Sequence, residues 1–234
     1  TLDQTLDNIG SDIETVTYYI TASANNCQGL TTEYTVTVNP TATVTNDPLS
    51  QEQCDGLNTN VVLTSDVAGT QYTWTCTPSS ASITGWSDQP TLTGSILQTL
   101  DNTGYNTETV NYHLTPSANN CTGTPANYLI TVHPTPDLSN APATQEQCDS
   151  VATNITLTSH VAGTQFTWTC IPSSANITGY ADNSIPTTLL DQTLDNTGYN
   201  IETVTYRLTP SAHNCDGPDT NYVVTINPTP DLSN

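Results

Sequence analysis

Across 234 residues the chain carries 22 acidic side chains against a single base, Arg207, for a formal net charge of −21. Phosphate binding needs clustered cations, so this balance excludes a nucleic-acid partner and equally opposes docking on anionic lipid. Only 10% of residues are charged, and Thr, Asn and Ser fill the polar positions, which suits strands with one wet face better than a charge-expanded tail.

The chain repeats itself. QTLDNIGSDIETVTYYITASANNCQG, QTLDNTGYNTETVNYHLTPSANNCTG and QTLDNTGYNIETVTYRLTPSAHNCDG begin at Gln4, Gln98 and Gln192, 94 residues apart without insertion or deletion. A fixed period marks a tandem array in which each unit is one structural module. On that period residues 1–39 are the C-terminal part of a repeat, 40–133 and 134–227 are complete repeats, and 228–234 starts the next. The sequence reads as a window on a longer protein. It shows no signal peptide, anchor or apolar run long enough to insert in a membrane.

Within a repeat, period-two alternation places the strands. Ala42–Asn46 is expected as a first edge strand. In Asn60–Ser65, Val61 and Leu63 point inward and Val62 outward, and the next copy repeats this with Ile155, Leu157 and Thr156. Gly69–Thr70 turns the chain into Gln71–Cys76, where Tyr72, Trp74 and Cys76 share a face. Ala81–Thr84 and Ile96–Leu100 read as shorter strands. Asp101–Gly104 reads as a turn, with Gly104 supplying a positive φ. Thr109–Thr115 buries Val110, Tyr112 and Leu114; Asn119–Gly123 forms a hairpin tip; Asn127–Val132 closes the module with Tyr128, Ile130 and Val132 on the core side. Seven strands, a tryptophan on the third and no helix imply an all-β fold, a tandem of immunoglobulin-like β-sandwiches. Trp74 and Trp168 are then core anchors. The Pro-Thr-Pro joints at 134–136 and 228–230 are short and stiff, and each sandwich should advance an elongated rod by about 40 Å.

Several segments together resemble a known family. They are Cys54-Asp55-Gly56 and Cys148-Asp149-Ser150, LTSDVAGTQYTWT at 63–75, LTPSANNCTG at 114–123 and YLITVHPTP at 128–136. They are similar to the PKD-like, immunoglobulin-like repeats of Bacteroidetes surface proteins, above all the SprB-type gliding-motility adhesins. The resemblance covers essentially the whole chain. It implies export by the type 9 secretion system, display outside the outer membrane and movement by the gliding machinery.

Neither catalysis nor a cofactor is expected. His113, His133, His160 and His213 are replaced by Arg207, Asn227, Asp66 and Asn119 in the register-matched repeat, and no triad order, phosphate loop or HExxH is present. Asp101–Glu108, repeated at 195–202, offers hard oxygens to calcium but lacks the spacing of an EF-hand; its bland reading is an Asx/Gly turn. Seven cysteines recur on the 94-residue period with no CxxC pair and no accompanying histidine, which favours disulfides outside the cell over zinc. Three per repeat cannot all pair in a regular array. Cys76 and Cys170 on the tryptophan face are candidates for buried thiols. In an immunoglobulin-like order Cys54 lies at the far end of its module and Cys215 at the near end of the next. A head-to-tail staple Cys54–Cys215 is therefore expected, with Cys148 bonded to a following module and Cys27 and Cys121 to preceding ones. Cys54–Cys76 at one end, or Cys54–Cys121 within a module, remain open. The expected partners are neighbouring repeats and an adhesion target such as surface polysaccharide. The alternative is a spacer or carbohydrate-binding array on an exported polysaccharide-degrading enzyme, for which Trp86 and Tyr180 would be the exposed aromatics.

Overall fold

The computed structural model describes residues 1–230; the end of the 228–234 segment lies outside the described residues. These fall into two compact units, one of residues 1–53, 57–100 and 109–131, the other of 54–56, 101–108 and the chain from Val132 onward. All regular elements among the described residues are strands.

The second unit contains the 134–227 repeat entire. One sheet runs in the order Thr144–Cys148 (opening strand), Thr220–Asn227 (closing), Glu202–Ala212 (central), Gln165–Pro172 (tryptophan strand) and Asn183–Thr187 (edge). Neighbours are antiparallel except for the opening strand, which runs parallel to the closing one. Register sets Val204 opposite Val224 and Tyr206 opposite Tyr222, so the inward residues of adjacent strands align. The facing layer consists of short pairs: Ile155–Thr156 with Leu189–Leu190, and Ile177–Thr178 with Asp195–Asn196. Ile155, Leu157, Ile177, Leu190 and Leu194 of that layer bury against Phe166, Trp168, Val204, Tyr206, Leu208, Tyr222, Val224 and Ile226. Two layers closing one apolar core, with non-sequential strand order, make an immunoglobulin-like β-sandwich.

In the first unit the 40–133 repeat builds its sheet in the same order, from Ser50–Cys54 through Ala126–His133, Glu108–Ala118 and Gln71–Pro78 to Gln89–Thr93. Residues 1–39 contribute a hairpin, Glu14–Ala24 with Cys27–Val38, closed by Asn25 and Asn26 at φ 49° and 59°. A two-residue turn with both φ positive matches the right-handed twist of its strands, and asparagine tolerates it. The same turn recurs at Asn119-Asn120 and His213-Asn214.

The structure corrects several expected elements. Ala42–Asn46 is not a strand: Thr45 N donates to Thr64 O, and the Asn46 side chain bonds Val62 O and Thr64 N in place of a ladder. The sheet instead opens with Ser50–Cys54, whose buried inward residue is Gln53, not an apolar one. Gln51 and Gln53 amides satisfy Thr59 O and Leu57 O at 2.8 Å each, and Gln145 and Gln147 repeat the arrangement. Gln89–Thr93 is an additional edge strand, Ile96–Leu100 shrinks to Ser95–Ile96, and Ala81–Thr84 to Ile83–Thr84. Gly104 is not at positive φ. The turn is held by Asn102, whose Oδ1 accepts from Gly104 N at 3.1 Å.

The glycine that the fold requires in this region is Gly179, with Gly85 as its counterpart. Both sit near φ +82°, and a Cβ on either would be driven into the backbone carbonyl of Thr193 or Thr99. Gly179→Ala therefore combines a left-handed backbone penalty with a clash that only backbone movement relieves. Its expected cost is about 2–4 kcal/mol in chemical denaturation; an unchanged midpoint would show that this crossing point is soft. Tyr72 gives the opposite expectation. Its hydroxyl is buried without a hydrogen-bond partner, Ser65 facing it outside bonding geometry, and the matched residue in the next repeat is Phe166. Tyr72→Phe should leave stability within about 0.5 kcal/mol or raise it.

Candidate functional site

A set of irregular interactions lies inside the second unit, which joins residues 54–56 and 101–108 to the chain from Val132 onward. Cys54 and Cys215 are joined there by a disulfide with a Cα–Cα distance of 5.6 Å, closing a sequence separation of 161 residues. Cys215 reaches this position because the positive-φ pair His213-Asn214 turns the central strand back on itself. Cys54 reaches it because the next residue is fixed on three sides. Asp55 N donates to His133 O at 2.9 Å, Asp55 Oδ1 accepts from Asn102 N at 2.6 Å, and Oδ2 accepts from Thr135 Oγ1 at 2.9 Å. Asn102 is 4% exposed, and its amide donates to Asn106 O and Val132 O. In the loop considered for calcium both ends of the Asn102 amide are thus engaged by the protein, Nδ2 by these two carbonyls and Oδ1 by Gly104 N. Among the described residues no group of three or more His, Cys, Asp or Glu side chains is disposed to hold a metal ion.

Three of the four histidines make specific contacts within this unit. His133 stacks on His213 with ring centroids 4.6 Å apart and planes 6° from parallel, and shares a hydrogen bond with Thr107 Oγ1. Tyr105 stacks on His160 at 4.6 Å and 22°. His160 Nδ1 in turn donates to Asp137 Oδ2 at 2.6 Å. Burial alone would raise the Asp137 carboxyl, but bonds from the His160 ring, Ser159 and the His160 amide outweigh it and hold the group below its ordinary value. None of these histidines recurs at the matched position of the other complete repeat, which argues against a shared catalytic role. That non-recurrence was the available signal, since positions that touch a neighbouring repeat are the ones free to differ from joint to joint. At the preceding register-matched position Asn39 Nδ2 reaches Asn119 O at 3.4 Å instead.

The asparagine–aspartate scaffold itself is shared. Asp149 N donates to Asn227 O, Asp149 Oδ1 accepts from Asn196 N at 2.6 Å, and Oδ2 accepts from Thr229 Oγ1 at 3.2 Å. The Asn196 N–H is the chief reason that the Asp149 carboxyl lies below its ordinary value.

Five cysteines are free among the described residues. Cys27 and Cys148 are exposed, and Cys121 is half-buried with Asn39 Nδ2 3.7 Å from its sulfur. Cys76 and Cys170, also half-buried, lie beneath the turn that follows the tryptophan strand; their Sγ atoms face Ser87 O and Ala181 O at 3.3 and 3.2 Å. Burial first, and then the Asp88 or Asp182 carboxylate, pushes each of these thiols up to about 12. At pH 8 they should be almost wholly protonated. Native-state alkylation should therefore label Cys27 and Cys148 roughly 10³-fold faster than Cys76 and Cys170; comparable rates by peptide mass spectrometry would contradict the buried-thiol assignment. Trp74 and Trp168, 5% and 6% exposed, donate from Nε1 to Ser87 O and Ala181 O and meet Tyr112 and Tyr206 edge-on. Trp86 is half-buried and its indole N–H bonds Ile83 O, while Tyr180 is 36% exposed.

A family model described as a PKD-like domain matches residues 1–42, 51–136 and 145–230. No curated protein matches the chain. Among solved structures, protocadherin gamma B2 extracellular cadherin domains 3–6 align at 8% identity and a TM-score of 0.37, over 97% of this chain and 62% of that one. The chain thus spans less than two thirds of that fragment. The Ig1+Ig2 pair of DIP-gamma aligns at 8% identity and TM-score 0.39, over 82% and 99%. The titin I-band fragment I67–I69 aligns at 10% identity and TM-score 0.34, over 93% and 88%. Tandem modules of this kind are typical of extracellular adhesion and spacer proteins and are typically non-catalytic. No helix among the described residues is long and apolar enough to cross a membrane. With its 94-residue period and a family model that matches it in three segments over most of its length, the chain belongs to the PKD-like domain family.

Proposed function

We propose that the chain is a stretch of stalk from an extracellular filamentous adhesin, and that its mechanism is mechanical. The observation that carries this reading is the Cys54–Cys215 disulfide, which joins residues belonging to successive 94-residue repeats. Translated along the period, the same bond would link Cys148 to a following module and Cys27 and Cys121 to preceding ones. In such an array the chain enclosed by each bond is shielded from load, so repeats can unfold without lengthening the filament by their full contour. The resemblance to SprB-type adhesins supplies the setting: export by the type 9 secretion system, display outside the outer membrane and a role in gliding and attachment. The contacting tip then lies elsewhere in the protein, and surface polysaccharide is one target class for it.

Pulling the chain by its two ends tests the mechanical reading. Each extended residue spans at most about 3.6 Å, so freeing the 161-residue segment should add roughly 550 Å to the final extension. Reductant is expected to produce that gain, and Cys54→Ser should show it without reductant. Equal extension in oxidised and reduced chains would refute load shielding.

A further inference from the structure

Tyr72, Trp74 and Leu114 turn into the core, so Thr73, Thr75, His113 and Thr115 stand on the outer face of the sheet. There they line an open groove of about 660 Å³. It reaches from Ala126 on the closing strand, across the central and tryptophan strands, to Asp88 and Gln89 at the edge. The 134–227 repeat has the same groove at the matched residues, about 540 Å³, walled by Thr167, Thr169, Thr209 and Asp182, with Arg207 in the place of His113. Each groove is built wholly from one complete repeat. Its charged and basic groups are held by the protein. Asp88 Oδ1 accepts from Cys76 N at 2.7 Å, and Asp182 Oδ1 from Cys170 N at 2.8 Å. Arg207 Nη2 meets Asp219 Oδ2 at 2.7 Å, and Thr209 Oγ1 donates to Asp219 Oδ1 at 2.6 Å. The His113 ring bonds Asn127 Oδ1 and Thr77 Oγ1 at 2.6 and 3.2 Å. The floor differs. Thr73 lies directly opposite Thr115, as Thr17 lies opposite Thr35 and Thr21 opposite Thr31 in the first hairpin. The hairpin pairs bond each other, whereas among the described residues the hydroxyls of Thr73, Thr75 and Thr115 bond no protein group.

We infer that each groove is a binding site for a short run of a neutral polysaccharide, so that the repeats themselves hold glycan in addition to any tip elsewhere in the protein. Four strands about 4.8 Å apart span about 14 Å, the length of a few sugar rings rather than of one. A sugar hydroxyl both donates and accepts. The groove answers it with threonine hydroxyls that do the same, carboxylates that accept and, in the 134–227 repeat, a guanidinium that donates. A carboxylate offers about four lone-pair sites, so the bonds that fix Asp88 and Asp182 position them without using them up. Pro90 and Pro125 give the first groove apolar walls for the C–H faces of the rings, while Trp74 contributes from the core side. Other occupants fit less well. The chain's charge of −21 repels an acidic polymer, and the basic side chain of each groove already has a protein partner. An added peptide strand finds no ladder, because the groove crosses strands whose backbones are already paired.

This inference goes beyond the stalk reading and does not rest on it. The whole chain is run in native gels cast with dextran, mannan or a soluble β-glucan, and with alginate as the acidic comparison. Its high negative charge drives migration, so binding to the polymer shows as retardation. At least one neutral polymer is expected to retard the chain, and alginate is not. Thr73→Val with Thr75→Val removes two hydroxyls from one groove while keeping the branched side chain that strands favour, and Thr167→Val with Thr169→Val does the same to the other. Each pair should weaken the retardation severalfold, and the fourfold variant should abolish it with its near-UV circular dichroism unchanged. Trp86→Ala, at the half-buried indole outside the groove, should leave it as it was. No retardation by any of the three neutral polymers, retardation by alginate alone, or full retardation of the fourfold variant would overturn the groove as a binding site. Loss of retardation in Trp86→Ala but not in the fourfold variant would do the same and move the site to the aromatic.

Discussion

Replacing Cys54 or Cys215 with serine should lower the stability of the unit that holds them by as much as about 5 kcal/mol, the largest single effect expected in this chain. Chain-entropy arguments set that ceiling for a closed loop of 161 residues, and measured removals fall at about 2–5 kcal/mol. The cost arises mainly in the unfolded chain. In the folded one the Cys54 loop keeps the three bonds of Asp55, and His213 keeps its stacking on His133, so the bonded geometry should survive loss of the sulfur link. Guanidinium titration of the oxidised protein against Cys54→Ser, Cys215→Ser and the double variant is the measurement. The three variants should share one lowered midpoint, since each removes the same bond, while Cys148→Ser should stay within about 0.5 kcal/mol of the parent. A midpoint that does not move for Cys54→Ser would mean that the bond contributes nothing the scaffold had not already secured.

The parts of the fold that alternate are legible in the sequence. Val110, Tyr112 and Leu114 on one strand, and Tyr128, Ile130 and Val132 on another, are fully or almost fully buried, as a two-residue period requires. What escaped the reading is what carries no apolar alternation. Ser50–Cys54 and Thr144–Cys148 are strands whose inward side chains are glutamines, and these are buried because their amides answer loop carbonyls, a pairing no local pattern announces. Gln89–Thr93 escaped because Pro90 lies within it; at the outer edge of a sheet the missing N–H costs nothing. The period itself exposed the cysteine sites, since three thiols per repeat cannot all pair within it. Parity alone left Cys54–Cys76 and Cys54–Cys121 open; it was the order of an immunoglobulin-like module, with Cys54 at one end and Cys215 at the facing end of the next, that pointed to the pair joined in the structure. The stacked His133–His213 and Tyr105–His160 pairs were hidden for a different reason. Their histidines vary from copy to copy, and a search for recurrence passes over them.

The second large effect concerns Trp168. Its side chain is 6% exposed, lies edge-on to Tyr206 at 6.3 Å and belongs to the same apolar cluster as Phe166, Leu208 and Leu190. Truncation to alanine removes the largest side chain of that cluster and leaves a cavity that a rigid two-layer sandwich closes poorly, for an expected loss of about 3–5 kcal/mol. The indole N–H adds little to that figure. Ala181 O, which accepts it, also accepts from Gln192 Nε2, so the carbonyl is not orphaned when the tryptophan goes. Trp168→Phe, which keeps most of the apolar volume, should accordingly cost less than half as much as Trp168→Ala. The position within the two units sharpens the measurement. Trp168 belongs to the unit that includes the chain beyond Val132 and Trp74 to the other, so each alanine variant should lower one denaturation transition and leave the other in place. An indole that served as a surface platform for sugar would behave differently: its removal would cost under about 1 kcal/mol and shift neither transition. The size of the loss therefore discriminates between a wall of the core and a binding surface at this position.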